Sequence, residues 1–166
     1  MTWAGSRIAQ IVLHCHCSVT VIQAQPDQRG ITERYTDEAL QFINKNQTRP
    51  FFLYLAHMYV HVPLFVPQQF LERSNNGAYG GAVECIDWSM GILMDQLEQL
   101  GLSDNTLIVF TSDNGSRARD EGGSNQPCRG TKATTWEEGQ RVPCVMRWPN
   151  KIASGTVSEA LVTSMD

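Results

Sequence analysis

The spacing of hydrophobic residues predicts an amphipathic helix in the first half of the chain. Between Tyr35 and Ile43, apolar side chains recur at helical spacing, which places them on one face. We expect this helix to start at Glu33, with Thr32 as its N-cap, and to end before residues 47–50.

A second, longer helix is predicted over residues 82–100, between Gly80-Gly81 and Gly101. Its apolar stripe is typical of a helix that packs on a hydrophobic core. The predicted stripe consists of Val83, Ile86, Met90, Leu93, Met94, Leu97 and Leu100.

Three short segments have the pattern of β-strands. Residues 51–56 (FFLYLA) and 106–111 (TLIVFT) are nearly continuous apolar runs, which predicts strands buried on both faces. Residues 141–148 read as a third strand interrupted by Pro143. Helices that alternate with buried strands are typical of an α/β fold.

Length, charge and missing motifs exclude several functional classes. The 166-residue chain carries a net charge of −4 with an isoelectric point near 5.5, whereas nucleic-acid-binding domains are usually basic. No apolar run approaches the roughly 20 residues of a membrane-spanning helix. The phosphate-binding P-loop, the dinucleotide glycine fingerprint and the Gly-x-Ser-x-Gly elbow are absent from the sequence.

The N-terminal segment is harder to interpret. Five cysteines leave at least one thiol unpaired, and residues 14–17 (HCHC) could bind a soft metal, although the spacing differs from that of a zinc knuckle. No clear signal peptide is visible. Residues 8–13 and 19–22 are β-prone, and either segment could pair with the edge of a sheet.

Candidate chemical groups follow the first two predicted strands, where ligands of α/β folds gather. Asp113 and Asn114 offer hard oxygen ligands for calcium or magnesium, or else form an ordinary turn. His61 could donate to an anion or act as a general acid, or else pack as a structural residue. Arg129 and Lys132 could clamp an oxyanion, or else belong to a solvated basic loop.

Three ordered blocks of this sequence resemble the type I sulfatases. They are residues 51–63, residues 107–115 (LIVFTSDNG) and residues 129–143, the last followed by Arg147-Trp148-Pro149. The resemblance covers residues 26–166 and is nearest to the arylsulfatase A and N-acetylgalactosamine-6-sulfatase group. It implies part of a sulfatase (alkaline-phosphatase-like) fold, in which helices flank a central, mostly parallel sheet.

The resemblance also implies roles for individual residues. Asp113 and Asn114 match calcium ligands of the family, and Lys132 matches the lysine that contacts the sulfate group. His61 matches the histidine that contacts the sulfate ester and assists the leaving oxygen. The implied substrate is a small-molecule or glycan sulfate ester, and the family resemblance suggests a secreted, periplasmic or lysosomal location.

The sequence departs from the family pattern at the nucleophile. The Cys/Ser-x-Pro-x-Arg motif that is converted to formylglycine is absent, so formylglycine cannot form in this chain. The paired N-terminal aspartates of the calcium site are missing too, and we expect a weak or partial Ca²⁺ site. A smaller departure is Glu138, where the family usually has glycine.

We therefore interpret residues 25–166 as part of a sulfatase catalytic domain and leave residues 1–24 unassigned. Three functions remain open: a sulfatase-like hydrolase, a non-catalytic oligomeric fragment, and a metal-dependent hydrolase of phosphate or carboxylate esters. Strands without their neighbours favour pairing with another chain, so we expect a homo-oligomer.

Overall fold

The computed structural model describes residues 9–12, 27–117 and 121–163. Within these residues, helices and short strands alternate along the chain. The elements are β1 (Ala9–Val12), α1 (Ile31–Asn46), β2 (Phe51–Tyr54), α2 (Gln68–Arg73), α3 (Gly77–Gln99), β3 (Ile108–Thr111), α4 (Glu137–Gln140) and β4 (Cys144–Arg147). The α/β class predicted from the sequence is confirmed. The short helices α2 and α4 were not predicted.

The described strands form two pairs. β1 and β2 are parallel, with Ala9 opposite Phe51, so the edge pairing predicted for residues 8–13 is confirmed over Ala9–Val12. β3 and β4 are antiparallel, with Ile108 opposite Arg147. In the part of the chain that the structure describes, the predicted central sheet therefore consists of one parallel and one antiparallel two-stranded unit. Residues 19–22 lie outside the described residues.

Both pairs pack on the same two helices. Ala39 and Ile43 of α1 meet Leu93 and Leu97 of α3 in the main hydrophobic cluster. The strand side chains packed against this cluster are Phe51, Leu53 and Ile108. The two helices thus form a common layer beneath β2 and β3.

The prediction that β2 and β3 are buried on both faces was wrong. Phe52 and Tyr54 of β2 are half exposed, and Val109 of β3 is 48% exposed. The side chains packed on the helices alternate with these, because successive side chains of a strand point to opposite faces. Coverage of β3 is partial even on its helix-facing side, where Phe110 is 39% exposed.

The helix bounds also differ from the prediction. α1 begins at Ile31, directly after a 3₁₀ turn over Gln28–Gly30, so Thr32 lies inside the helix and is buried instead of capping it. α3 begins at Gly77 and includes Gly80-Gly81. A Cβ at Gly81 would contact the Phe70 backbone, so this glycine allows α3 to approach α2 closely.

Small residues occupy much of the buried face of α3. Ala82, Cys85 and Ser89 are fully buried, whereas Val83 of the predicted stripe is 46% exposed. The Ser89 hydroxyl lies 2.7 Å from the hydroxyl of Thr36, which also donates to the Thr32 carbonyl oxygen at 2.8 Å. A buried polar contact therefore joins α3 to α1 alongside the hydrophobic cluster.

None of the helices among the described residues is both long and apolar enough to cross a membrane.

Candidate functional site

The candidate metal ligands lie directly after β3. The strand ends at Thr111, and the turn that follows leaves Asp113 exposed and Asn114 half-buried. The Ser112 hydroxyl donates to the Asn114 carbonyl oxygen at 3.0 Å, which stabilises the turn. Asp113 and Asn114 therefore lie at a strand end, as expected from the sequence.

The loop that carries Lys132 packs against this turn. The Lys132 backbone N–H donates to the Ser116 carbonyl oxygen at 2.9 Å, and the Gly115 N–H donates to the Gly139 carbonyl oxygen at 3.3 Å. Two backbone hydrogen bonds thus join segments that are far apart in sequence. They place the Lys132 backbone beside the turn that contains Asp113.

Two glycines make this contact possible. A Cβ at Gly115 would collide with the backbone carbonyl oxygen of Glu138, and a Cβ at Gly139 would collide with that of Thr134. Any other residue at Gly115 would force the turn away from the lysine loop, and any other residue at Gly139 would displace the backbone within that loop.

Lys132 lies in a tight turn. The Thr134 hydroxyl donates to the Thr131 carbonyl oxygen at 2.7 Å and accepts from the Thr131 N–H at 3.2 Å. Ala133 has a φ of 68°, a conformation that costs a non-glycine residue on the order of 1 kcal/mol. The half-buried Lys132 therefore projects from a turn whose backbone is closely constrained.

Arg129, the other cation of the predicted clamp, packs on an aromatic ring. Its guanidinium carbon lies 3.7 Å from the centre of the Trp136 ring, a cation–π contact that holds the side chain on the aromatic face. A Cβ at Gly130, which has a φ of 112°, would collide with the Trp136 side chain. The glycine therefore allows Trp136 to pack directly against the loop backbone. The two cations of the predicted clamp thus have separate surroundings.

Asn125 is a site residue that sequence reasoning missed. Its side chain bonds the backbone of Ser116 and the backbone of Gly130, and so touches both segments of the site. An open groove of about 350 Å³, lined by polar groups that include Ser124 and Thr131, adjoins it. The only sequence signal was a polar residue in a glycine-rich loop.

His61 lies in the loop after β2, with an exposed side chain. Its Nδ1 is 2.7 Å from the Val62 carbonyl oxygen, which can only accept, so Nδ1 carries the proton and Nε2 is left for a ligand. Within the described residues, no hydrogen bond or ion pair joins His61 to Lys132 or Asp113. The contacts therefore bring Lys132 to the metal-ligand turn and leave His61 on its own loop.

Comparisons with known proteins show the family of this chain. The family model described as Sulfatase matches residues 11–166. The chain belongs to the sulfatase family. The match begins farther toward the N-terminus than residue 26, where the resemblance described above starts.

This sulfatase chain is similar to several curated relatives. It is 42% identical over 154 residues to steryl-sulfatase of Rattus norvegicus, covering 89% of this chain and 27% of the relative. It is 45% identical over 150 residues to N-acetylgalactosamine-6-sulfatase of Mus musculus, covering 87% of this chain and 29% of the relative. The chain thus spans less than a third of the length of either relative.

Solved structures show the same likeness. A Bacteroides thetaiotaomicron protein from a study of glycosaminoglycan metabolism superimposes with a TM-score of 0.72 and 34% identity, over 78% of this chain and 29% of that one. A crystallised protein in complex with a neocarrahexaose gives a TM-score of 0.67 and 38% identity, over 72% and 28%. The expectation of a partial sulfatase fold is confirmed.

The residues predicted to bind calcium offer two ligand groups. The carboxylate of Asp113 and the amide of Asn114 are oxygen donors of the kind that calcium prefers, but the ion takes six to eight ligands. Among the described residues, no group of three or more His, Cys, Asp or Glu side chains could hold a metal ion. The donor types fit calcium and their number does not. Residues 14–17, the other metal candidate, lie outside the described residues.

Glu138, the departure from the family glycine, has a defined place in this sulfatase chain. Its backbone N–H donates to the Arg129 carbonyl oxygen at 3.1 Å, and its carboxyl group accepts a hydrogen bond from Cys128. That hydrogen bond is the main reason that the pKa of the Cys128 thiol is raised. A glutamate is therefore accommodated without opening the loop.

His57, at the other end of the His61 loop, has a different environment. Both ring nitrogens are shielded from solvent and have no hydrogen-bond partner, and the ring contacts Tyr35 with 6.3 Å between centroids. Burial lowers the pKa of His57 to about 4. The neutral imidazole packs against α1 as a structural side chain.

Proposed function

We propose that residues 25–166 are part of the catalytic domain of a sulfate-ester hydrolase and supply cationic groups to its sulfate-binding site. The observation that carries this proposal is the hydrogen bond from the Lys132 N–H to the Ser116 carbonyl oxygen. It joins the backbone of Lys132 to the segment that follows the Asp113-Asn114 turn, which supports a shared site for these residues.

In the proposed reaction, Lys132 faces the sulfate group. Negative charge on the sulfate oxygens is redistributed as the ester S–O bond breaks, and a fixed ammonium group stabilises that charge better than mobile water does. The tight turn fixes the backbone from which the Lys132 side chain extends, which supports this role.

His61 is proposed to assist the leaving alcohol. Because Nδ1 donates to the Val62 carbonyl oxygen, Nε2 is the atom that faces a ligand. In the imidazolium form, Nε2 donates its proton to the leaving oxygen while an oxygen nucleophile such as water bonds to sulfur and the ester S–O bond breaks. The ring is then neutral and the product is an alcohol.

The proposed calcium contribution is limited to two ligands. Asp113 and Asn114 would each supply one oxygen, and a bound calcium ion would neutralise charge on the sulfate oxygens. We expect calorimetry to show weak calcium binding that Asp113→Ala abolishes, whereas Asp104→Ala, which removes the same charge from an exposed 3₁₀ turn, leaves it unchanged. Tight binding that survives Asp113→Ala would place the metal elsewhere.

The sulfate site is tested by titrating the full chain with sodium sulfate while backbone amide signals are followed by NMR. We expect Lys132→Gln to abolish the shifts of the 130–132 amides. Lys151→Gln, in an exposed turn, is the matched control and should keep them. Equal sulfate affinity in both variants would contradict the proposed role of Lys132.

The proposed substrate is the sulfate ester of a small-molecule or glycan alcohol. The relatives are called steryl-sulfatase and N-acetylgalactosamine-6-sulfatase, and one structural neighbour holds a neocarrahexaose. Assays with an aryl sulfate, an aryl phosphate and an aryl acetate separate this substrate class from the alternative ester hydrolases. Turnover of the phosphate or acetate alone would favour the alternative.

A second candidate function, homo-oligomer formation, is favoured by the open face of the β3–β4 pair. Val109 and Met146 lie opposite each other on one face and are 48% and 47% exposed, and adjacent apolar side chains of this kind favour contact with another polypeptide. Light scattering at micromolar concentration tests it. A stable monomer that binds no hydrophobic dye would contradict it.

A further inference from the structure

The side chain of Asn125 makes three hydrogen bonds to the backbone of two separate segments. Its Nδ2 donates to the Ser116 carbonyl oxygen at 2.8 Å and to the Gly130 carbonyl oxygen at 3.1 Å. Its Oδ1 accepts from the Ser116 N–H at 3.2 Å. A neutral amide is suited to this set because it offers two donors and an acceptor on one planar group.

The two bonded segments are the ones that carry the proposed site. Ser116 follows the Asp113-Asn114 turn, and Gly130 precedes Lys132 in its loop. The Lys132 N–H also ends on the Ser116 carbonyl oxygen, which therefore accepts from both Asn125 and Lys132. Asn125 thus lies at the junction where the lysine loop meets the end of β3.

We infer that Asn125 is a positioning residue that holds the Lys132 loop against the strand-end turn. It touches no reacting group and acts through the backbone on either side of it. Its catalytic meaning rests on the proposed function, whereas its effect on the junction can be measured without any substrate.

Replacement by aspartate separates the hydrogen bonds from side-chain size. Asn125→Asp keeps the shape, but a carboxylate cannot donate to the Ser116 and Gly130 carbonyl oxygens and instead faces them with negative charge. Both donor bonds are lost, and two carbonyl oxygens lose a partner, which is costly in a half-buried site. The junction should therefore open more often in the variant.

Amide hydrogen exchange on the full chain reports this opening. We expect the Lys132 and Gly115 amides to exchange about tenfold faster or more in Asn125→Asp than in the wild type. The amides of Leu93 and Leu97 in α3 should be unchanged. Asn105→Asp, the same substitution at an exposed position, is the control and should match the wild type at all four amides.

A sulfate titration adds a readout that a purely structural role would not change. We expect Asn125→Asp to lower the apparent sulfate affinity, measured from the Lys132 amide shift, about tenfold. The thermal unfolding midpoint of the variant should stay within a few degrees of the wild-type value. If the wild type binds no sulfate, the proposed function fails, and the positioning role is judged on exchange alone.

Two results would overturn the inference. The first is an amide exchange rate at Lys132 and Gly115 in Asn125→Asp that equals the wild-type rate. The second is faster amide exchange throughout α3 in both Asn125→Asp and the uncharged Asn125→Ala. Asn125 would then support the whole fold and not this junction.

Discussion

Replacing His57 should remove part of the loss of folding stability that the chain undergoes at acidic pH. The imidazole is shielded from solvent, has no hydrogen-bond partner and has a pKa lowered to about 4 by burial, against an ordinary value of 6.5. Between these two values the unfolded chain binds a proton at His57 and the folded chain does not. Stability is therefore lost as the pH falls below 6.5, and the loss levels off below about 4.

The size of the effect follows from the same two values. The loss attributable to His57 is about 1.4 kcal/mol at pH 5.5 and about 2.5 kcal/mol at pH 4.5. Domains of this kind are stable by only about 5–15 kcal/mol, so the loss is a large fraction of the total. His57→Phe keeps a ring against Tyr35 and removes both the titration and the buried N–H that lacks a partner.

Urea unfolding at pH 7.0, 5.5 and 4.5 measures the difference. At each pH, the free energy of unfolding of His57→Phe minus that of the wild type cancels the titration of all other groups. We expect this difference to grow by about 2.5 kcal/mol between pH 7.0 and 4.5. His57→Gln should give the same growth from a different starting value. Parallel pH profiles for wild type and both variants would refute the argument that burial keeps His57 neutral.

Three further outcomes are expected. Gly115→Ala should cost about 1–3 kcal/mol by urea unfolding, because its Cβ has no space against a backbone carbonyl, and should speed amide exchange in the Lys132 loop; an unchanged midpoint would contradict this. Thr36→Val should lower the free energy of unfolding by about 1–3 kcal/mol, because the buried Ser89 hydroxyl loses its partner. Ser89→Ala should lower it less, because Thr36 keeps its hydrogen bond to a backbone carbonyl. A larger loss in Ser89→Ala than in Thr36→Val would contradict this hydrogen-bond arrangement. With a thiol reagent at pH 8, the exposed Cys144 should react quickly and the buried Cys85, whose pKa is raised to about 11, only on unfolding.

The elements with strong periodicity were predictable from the sequence. The apolar runs located β2 and β3, and helical spacing located the core positions Ala39 and Ile43. Strand ends then indicated where polar groups would gather, which correctly placed Asp113. These predictions depend on local patterns that the tertiary structure did not override.

The remaining features depend on contacts between distant segments. Hydrophobicity could not show that small residues such as Ser89 are the buried positions of α3, because their burial follows from close helix packing. Hydrophobicity also could not show that one face of β3 stays open, because an apolar run does not indicate which elements pack on each face of the strand. Asn125 and Gly139 act through backbone groups of other loops, and such roles leave no periodic signal.

The mutual hydrogen bonds of Ser116 and Asn125 have a consequence for chain engineering. These bonds hold the two ends of the segment between Ser116 and Asn125 together, so the length of the segment can change without moving either end. Doubling the length of such a loop costs only about 0.6 kcal/mol in closure entropy. An affinity tag or fluorescent peptide inserted between Ser116 and Asn125 should therefore leave both of these residues in place. The same insertion between Gly130 and Lys132 would disrupt the junction.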